Sequence, residues 1–428
     1  MRIARLHINR LSQVSALALL SALGAAGPVF ASGFGLREGS ADWLGNAFAG
    51  APAKAYDAST VWSNPAGMAL LDNDELDAAV SYIGPYTSFS GTAAAPTTAP
   101  VPGVNGGNSI APAATGATFG VFTLAPAWRL GFSVTAPFGE RVAYPADFVG
   151  RYQSLVSNIT DVNLGIALSY KVNDHLAIGF GPNFDYFSAR LTQAEFTGVN
   201  ALAGDPVGDV HGNSLGVGYN LGVLYQVDDT LRFGADYRSR IRHDIYGAER
   251  VSFPAAYGVP TMYTAATTTI TLPDSLSIGV YKQLTPQLAL LGSVEWTDWS
   301  LFNTLNITPR NGSATTIIRE NWRNTWYVGV GANYQLTDKL MLQGGVAYDQ
   351  SPVTDSNRTT RVPDGDHYDL GVGAQYQLLP NVRLELAYLH VFIPHGHINN
   401  SAGATAGTIT GNYTDSDNSV TAGVNVRF

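Results

Sequence analysis

Five tyrosines do most to limit what this chain can fold into. Tyr170-Lys-Val-Asn-Asp-His-Leu176, Tyr225-Gln-Val-Asp-Asp-Thr-Leu231 and Tyr334-Gln-Leu-Thr-Asp-Lys-Leu340 share one layout, and Tyr281-Lys-Gln-Leu-Thr-Pro-Gln-Leu288 and Tyr376-Gln-Leu-Leu-Pro-Asn-Val382 are close variants. Each is a tyrosine, a polar tight turn and a return into alternating apolar and polar residues. Between these turns run long Gly/Ser/Thr/Pro-rich loops: Gly91 to Thr115, Thr197 to Gly212, Val251 to Ala266 and Asn303 to Glu320. A strand array with tight turns at one end and large loops at the other, with tyrosines at the turn end, has the asymmetry of a transmembrane barrel. A soluble sandwich would mix loop lengths at both ends.

The last strand shows the period most cleanly. Val420, Ala422, Val424, Val426 and Phe428 fall on one face, and Thr421, Gly423, Asn425 and Arg427 on the other. Strand pairs flank Pro126-Ala127-Trp128, Asn173-Asp174, Asp228-Asp229, Thr285-Pro286, Thr337-Asp338 and Leu379-Pro380. A first strand around Leu76 to Ser90 and a last around Ser419 to Phe428 bring the expected total to 14. An even count leaves both wall termini on the tight-turn side.

Composition agrees. Only 13% of the 428 residues are charged, about half the usual soluble level. No stretch behind the N-terminus is apolar enough for a spanning helix, which leaves a barrel as the membrane option. The absence of Cys excludes disulfides and thiolate metal sites. Arg2, Arg5 and Arg10, the apolar run Val14 to Ala26 and Val29-Phe30-Ala31 read as an export leader cut after Ala31. Without those three of its 24 basic residues the chain sets 21 against 33 acidic ones, a formal charge of −12. That balance argues against nucleic acid.

Gly33 to Leu71 does not alternate. It is rich in Gly and Ala and carries Trp43, Trp62, Phe34 and Phe48, too apolar for a free tail yet patterned for short helical turns at most. It needs an enclosure, and it precedes the first strand. The expected organisation is a leader (1–31), a plug (32–74) inside the lumen and a barrel (75–428). A second irregularity interrupts the third strand: Leu130 to Ala136 alternates, then Pro137-Phe138-Gly139 breaks the pattern. Either the strand ends there or the wall kinks and leaves a hole.

Gly33-Phe34-x-Leu36-x-Glu38-x-Ser40, Leu44-Gly45-x-Ala47-x-x-Gly50 and Asn64-Pro65-Ala66 resemble the N-terminal hatch of outer-membrane long-chain fatty acid transporters, the FadL/TodX family. Tyr237-Arg238-Ser239, Leu272-Pro273-Asp274, Trp296-Thr-Asp-Trp299-Ser300, Tyr348-Asp-Gln-Ser-Pro352 and Asn357-Arg358 with Val362-Pro363-Asp364 extend the resemblance to Phe428. It implies a 14-stranded antiparallel barrel with a hatch that moves when ligand binds, Asn64, Pro65 and Ala66 being its gate residues. It implies a lateral exit at Pro137, Phe138 and Gly139, and an outer capture groove at about Glu195 to Gly212 and Ala248 to Ala266. In that groove Phe253, Tyr257, Met262 and Tyr263 are candidate contacts. Arg323, and Arg190 late in the fifth strand, match by position basic residues that meet a ligand head group. The plain alternative for each is a lumen arginine paired with an acid.

Other signals weigh less. Gly212-Asn-Ser214-Leu-Gly216 fits a nucleophile-elbow pattern, but it leads into a strand and no helix follows. His390, His395 and His397, Asp364-Gly-Asp366 and Asp415-Ser-Asp417 read as solvated outer loops rather than metal sites. The expectation is a monomeric, Gram-negative outer-membrane protein with no catalytic residue, cofactor or metal. It would take up a hydrophobic molecule passively, long-chain fatty acids first and aromatic or alkane hydrocarbons as the alternative, with a general porin behind both. Its partners would be the ligand, outer-membrane lipid and lipopolysaccharide, and the barrel assembly machinery through Phe428.

Overall fold

Alternation along the chain becomes alternation across a wall. On the strand Val156–Lys171, Val162, Leu164, Ile166 and Leu168 point outward and are 41–42% exposed, whereas Asp161, Asn163 and Ser169 are buried on the inner side. A water-soluble sheet would reverse this; a barrel in lipid keeps its apolar face outside.

The computed structural model describes residues 32–198, 204–402 and 406–428, without the side chain of His395. The expected leader and the tip of the Thr197 to Gly212 loop lie outside these. Among the described residues, twenty antiparallel strand segments form one sheet. It closes where Glu75–Ile83 pairs on one side with Ala113–Ala125 and on the other with Gly407–Arg427. Some wall strands are broken once, at Gly84-Pro85 or Pro273-Asp274 for example, so the twenty segments make 14 wall strands. Their ends Glu75 and Arg427 pair with each other beside the tight turns.

The tight turns are built by their own polar side chains. Oδ1 of Asn173 accepts from the N–H groups of His175 and Leu176 at 2.8 and 2.9 Å. Oδ1 of Asp228 accepts from those of Thr230 and Leu231 at 2.7 and 2.9 Å. Such short side chains substitute for missing ladder partners. Tyr225, Tyr334 and Tyr376 before these turns face outward, as a membrane-boundary girdle requires. Tyr281 does not: it is buried against the plug, its ring 5.9 Å from that of Tyr56. Its turn has one more residue between the tyrosine and the returning leucine, and a one-residue offset exchanges the faces of a strand.

The final strand spans Gly407–Arg427, beginning twelve residues before Ser419. Its outer half pairs with Val382–Ala402 and Tyr86–Ala94 beyond the apolar belt. Asp415 and Asp417, expected on a loop, are therefore buried on the inner face of this strand.

Residues 32–71 are mostly buried and their helical pieces pack on wall strands all around the ring. Four short helical pieces, Ala41–Leu44, Ala51–Lys54, Thr60–Ser63 and Pro65–Leu70, carry the chain through it. Ser40 caps the first, accepting from Asp42 N–H at 3.1 Å. Asn64 caps the last through Ala66 N–H at 3.0 Å, with Pro65 at the first helical position.

Candidate functional site

Proline decides the geometry of the third wall strand. It runs Trp128–Thr135, breaks over Ala136-Pro137-Phe138 and resumes at Gly139–Ala143, so it kinks and does not end. The first half is paired on both sides, with Thr118 to Ala125 and with Asn163 to Tyr170. The second half has a continuous ladder with the fourth wall strand alone, at Val156 to Thr160, and meets Ile110 through a single bridge at Val142. Across the resulting gap, the register of residues 113–117 is with the first wall strand alone. The ladder resumes outside it, where Ala143 N–H donates to Ser109 carbonyl at 2.7 Å.

The plug occupies the inner side of that gap as an added strand. Leu36 N–H donates to the Pro137 carbonyl at 2.7 Å, and Gly139 N–H to the Phe34 carbonyl at 2.9 Å. Gly35 and Phe138 form an antiparallel bridge between them. The Phe34 side chain is fully enclosed by rings: Trp299 at 5.0 Å, Phe302 and Trp322 at 5.5 Å and Phe138 at 5.8 Å between centroids.

This segment lines two separate cavities. One of about 190 Å³ lies between plug and wall and reaches the gap, with Trp43, Trp62, Thr115, Gly116, Pro137 and Phe138 in its lining. The other, about 60 Å³, is walled by Phe34, Ile159, Phe187, Ile245, Ile270 and Phe302. Its lining also holds Glu140, Glu320 and Arg361. In the outer loops, burial lifts Glu320 to about 7 against the pull of Arg361. Burial also lowers Arg361 to about 10.

Polar clamps hold the plug at both ends. Gly33 N–H donates to Oδ2 of Asp364 at 2.9 Å, and Oδ1 of that buried carboxylate meets Nε2 of His367 at 2.8 Å. Asp364, expected on a solvated loop, thus lies inside the barrel. Deeper, Arg383 of the wall pairs with Asp57 at 2.7 Å, while Lys54 and Asp42 pair within the plug at 3.0 Å. Nδ2 of Asn64 donates to Pro52 carbonyl at 2.7 Å and to the wall at Val223 carbonyl at 3.0 Å.

Residues 22–428 match the family described as outer membrane protein transport protein (OMPP1/FadL/TodX). The chain belongs to this family. It is 27% identical over 419 residues to the long-chain fatty acid transport protein of Escherichia coli K12, covering 88% of this chain and 91% of that one. A crystal structure of a Pseudomonas aeruginosa FadL homologue superposes with a TM-score of 0.88 at 24% identity, over 93% of this chain and all of the other. The Pseudomonas putida toluene transporter TodX gives a TM-score of 0.68 at 14% identity, with coverages of 93% and 100%. The protein is therefore an outer-membrane transporter of the FadL/TodX type and not an enzyme.

The two arginines matched by position to head-group contacts lie outside both cavities of this family member. Arg190 is half exposed and paired with Asp209 at 2.9 Å. It falls on the opposite face of its strand from Ala189 and Leu191, which line the smaller cavity, so strand parity turns it outward. Arg323 donates to the Ser351 carbonyl at 3.1 Å, lies 3.6 Å from Asp366 and is likewise half exposed. Phe253, Tyr257, Met262 and Tyr263 come together at the outer turn between Ile241–Ser252 and Met262–Leu272. There Tyr257, Met262 and Tyr263 are exposed. Asn64, Pro65 and Ala66 pack on Gly179 and Gly222 of the wall. Ser214 sits mid-strand with its hydroxyl on Leu215 carbonyl. His390 and His397 meet Asn418 and Asn412. Arg361, in the lining of the smaller cavity, lies outside the family pattern carried by its neighbours Arg358 and Val362-Pro363-Asp364. A basic residue beside such an apolar turn was the available signal.

Proposed function

We propose that this transporter moves long-chain fatty acids passively into the outer membrane through its side. The aromatic outer turn at Phe253 to Tyr263 gathers the acyl chain and the smaller cavity receives it. Displacement of the Phe34 segment then joins that cavity to the larger one, from which the ligand leaves between the second and third wall strands. Each methylene moved out of water is worth about 0.8 kcal/mol, so the route runs downhill into lipid without an energy source. Lipopolysaccharide headgroups, the barrier to such a molecule, are bypassed. The barrel acts as a monomer, and Phe428 is the end read by the assembly machinery.

One observation carries this reading: the plug's first residues are hydrogen-bonded into the break in the wall, so moving the plug and clearing the side gap are one event. Bridge partners in an antiparallel pair have Cα atoms about 4.5 to 5.5 Å apart, within disulfide range, and the chain has no cysteine of its own. Gly35→Cys with Phe138→Cys should give a barrel whose oleate uptake stops on oxidation and returns on reduction. Uptake that continues through the locked form would refute side release. Hydrocarbons, the alternative cargo, would use the same path, and oleate- and toluene-uptake assays on the reduced, unlocked protein separate the two.

A further inference from the structure

Arg361 is 5% exposed in a mostly apolar chamber, a costly place for a guanidinium. Its Nη2 donates to Oε1 of Gln193 at 2.6 Å. Its Nη1 has no hydrogen-bond partner, and among the described residues no carboxylate oxygen lies within ion-pair distance, 4.0 Å. The acids nearby are Glu140 and Glu320, both lining the same chamber, with Glu195 and Asp364 further round; His211, beside Asp209, is the other titratable group in the lining. Both oxygens of Glu140 and one of Glu320 are buried without partners. Two carboxyls beside one cation in an apolar cavity cannot both remain charged, so at least one keeps its proton.

We propose that Arg361, with Glu140 and Glu320, is the head-group socket of the inner chamber and that it takes a carboxylate. This rests on the uptake reading above and chooses between its two cargoes. The free Nη1–H donates to the ligand's carboxylate, and a protonated Glu140 or Glu320 adds an O–H donor instead of a repelling charge. The methylenes next to the carboxylate then lie along Ile159, Phe187, Ile245 and Phe302, and the rest of the acyl chain extends past Phe34 into the larger cavity. A hydrocarbon would fill the same walls but leave the guanidinium unsatisfied, the asymmetry that makes a polar socket discriminate. Rising pH works against binding, because ionised Glu320 competes for the same cation.

Trp299 and Trp322 flank Phe34, so quenching by 9,10-dibromostearic acid and by its methyl ester reads chamber occupancy in the full-length barrel held in nanodiscs. The acid should bind about ten- to a hundredfold more tightly than the ester, and its affinity should fall between pH 6 and pH 8 while that of the ester stays level. Arg361→Gln should erase the preference by weakening the acid alone, and Arg361→Lys should restore part of it. An acid-to-ester ratio near one in the unaltered protein, or one unchanged by Arg361→Gln, overturns the socket. The first of these needs no variant to fold. Quenching by neither compound overturns the uptake reading itself.

Discussion

A methyl group at residue 222 would lie 2.2 Å from Oδ1 of Asn64, and one at residue 179 would lie 2.5 Å from the Ala66 nitrogen. These two wall glycines are the seat of the Asn64-Pro65-Ala66 turn. Gly222→Ala should push Asn64 off its cap and its bond to Val223, costing about 1 to 3 kcal/mol. The expected result is faster proteolysis within residues 32–74 with the barrel itself intact; an unchanged cleavage rate would count against this seat. Glu320 gives the pH dependence at this scale. Burial holds its proton to about 7 in the folded protein, against an ordinary value of 4.5. The folded state therefore binds more protons than the unfolded one between those values. The stability it confers is complete below about 4.5 and is lost as pH rises through 7. Tryptophan-detected melting should show a lower midpoint at pH 8 than at pH 5, and Glu320→Gln should flatten the difference.

Among the elements, the third wall strand shows how far local chemistry reaches. Pro137 cannot donate to a ladder, so a fault at that point was readable from sequence; whether the strand ended or resumed was not, since only the pairing of Gly139–Ala143 with the fourth strand settles it. Gly139→Arg should narrow the gap from within. Cells carrying it should lose about tenfold or more of their oleate uptake, by analogy with overpacked sites, while surface binding of oleate persists. Equal uptake would remove the gap from the pathway. The Tyr281 turn teaches a related lesson. Its tyrosine matches the other four in type and neighbourhood, yet one extra residue turns it inward onto Tyr56.

For the whole molecule, the decisive property is that a wide ring is filled by its own N-terminal segment. A 14-strand ring without a filling would hold water. In planar bilayers the intact protein should pass little steady current, and deletion of residues 32–74 with the leader kept should open a large ohmic conductance. Equal conductance of the two forms would deny the segment its role as a stopper.

Alternation of residue type and tight-turn chemistry were enough to specify the barrel and its strand number. These are local or periodic properties, and a period of two states which side of a wall each residue faces. What they could not supply was distance across the lumen. Arg190 and Arg323 match by position yet lie outside the cavities, Asp364 reads as a loop acid yet holds Gly33, and nothing local marks Arg361. Those roles arise where residues separated by up to 331 positions meet, and such meetings belong to closure of the ring and not to any stretch of chain.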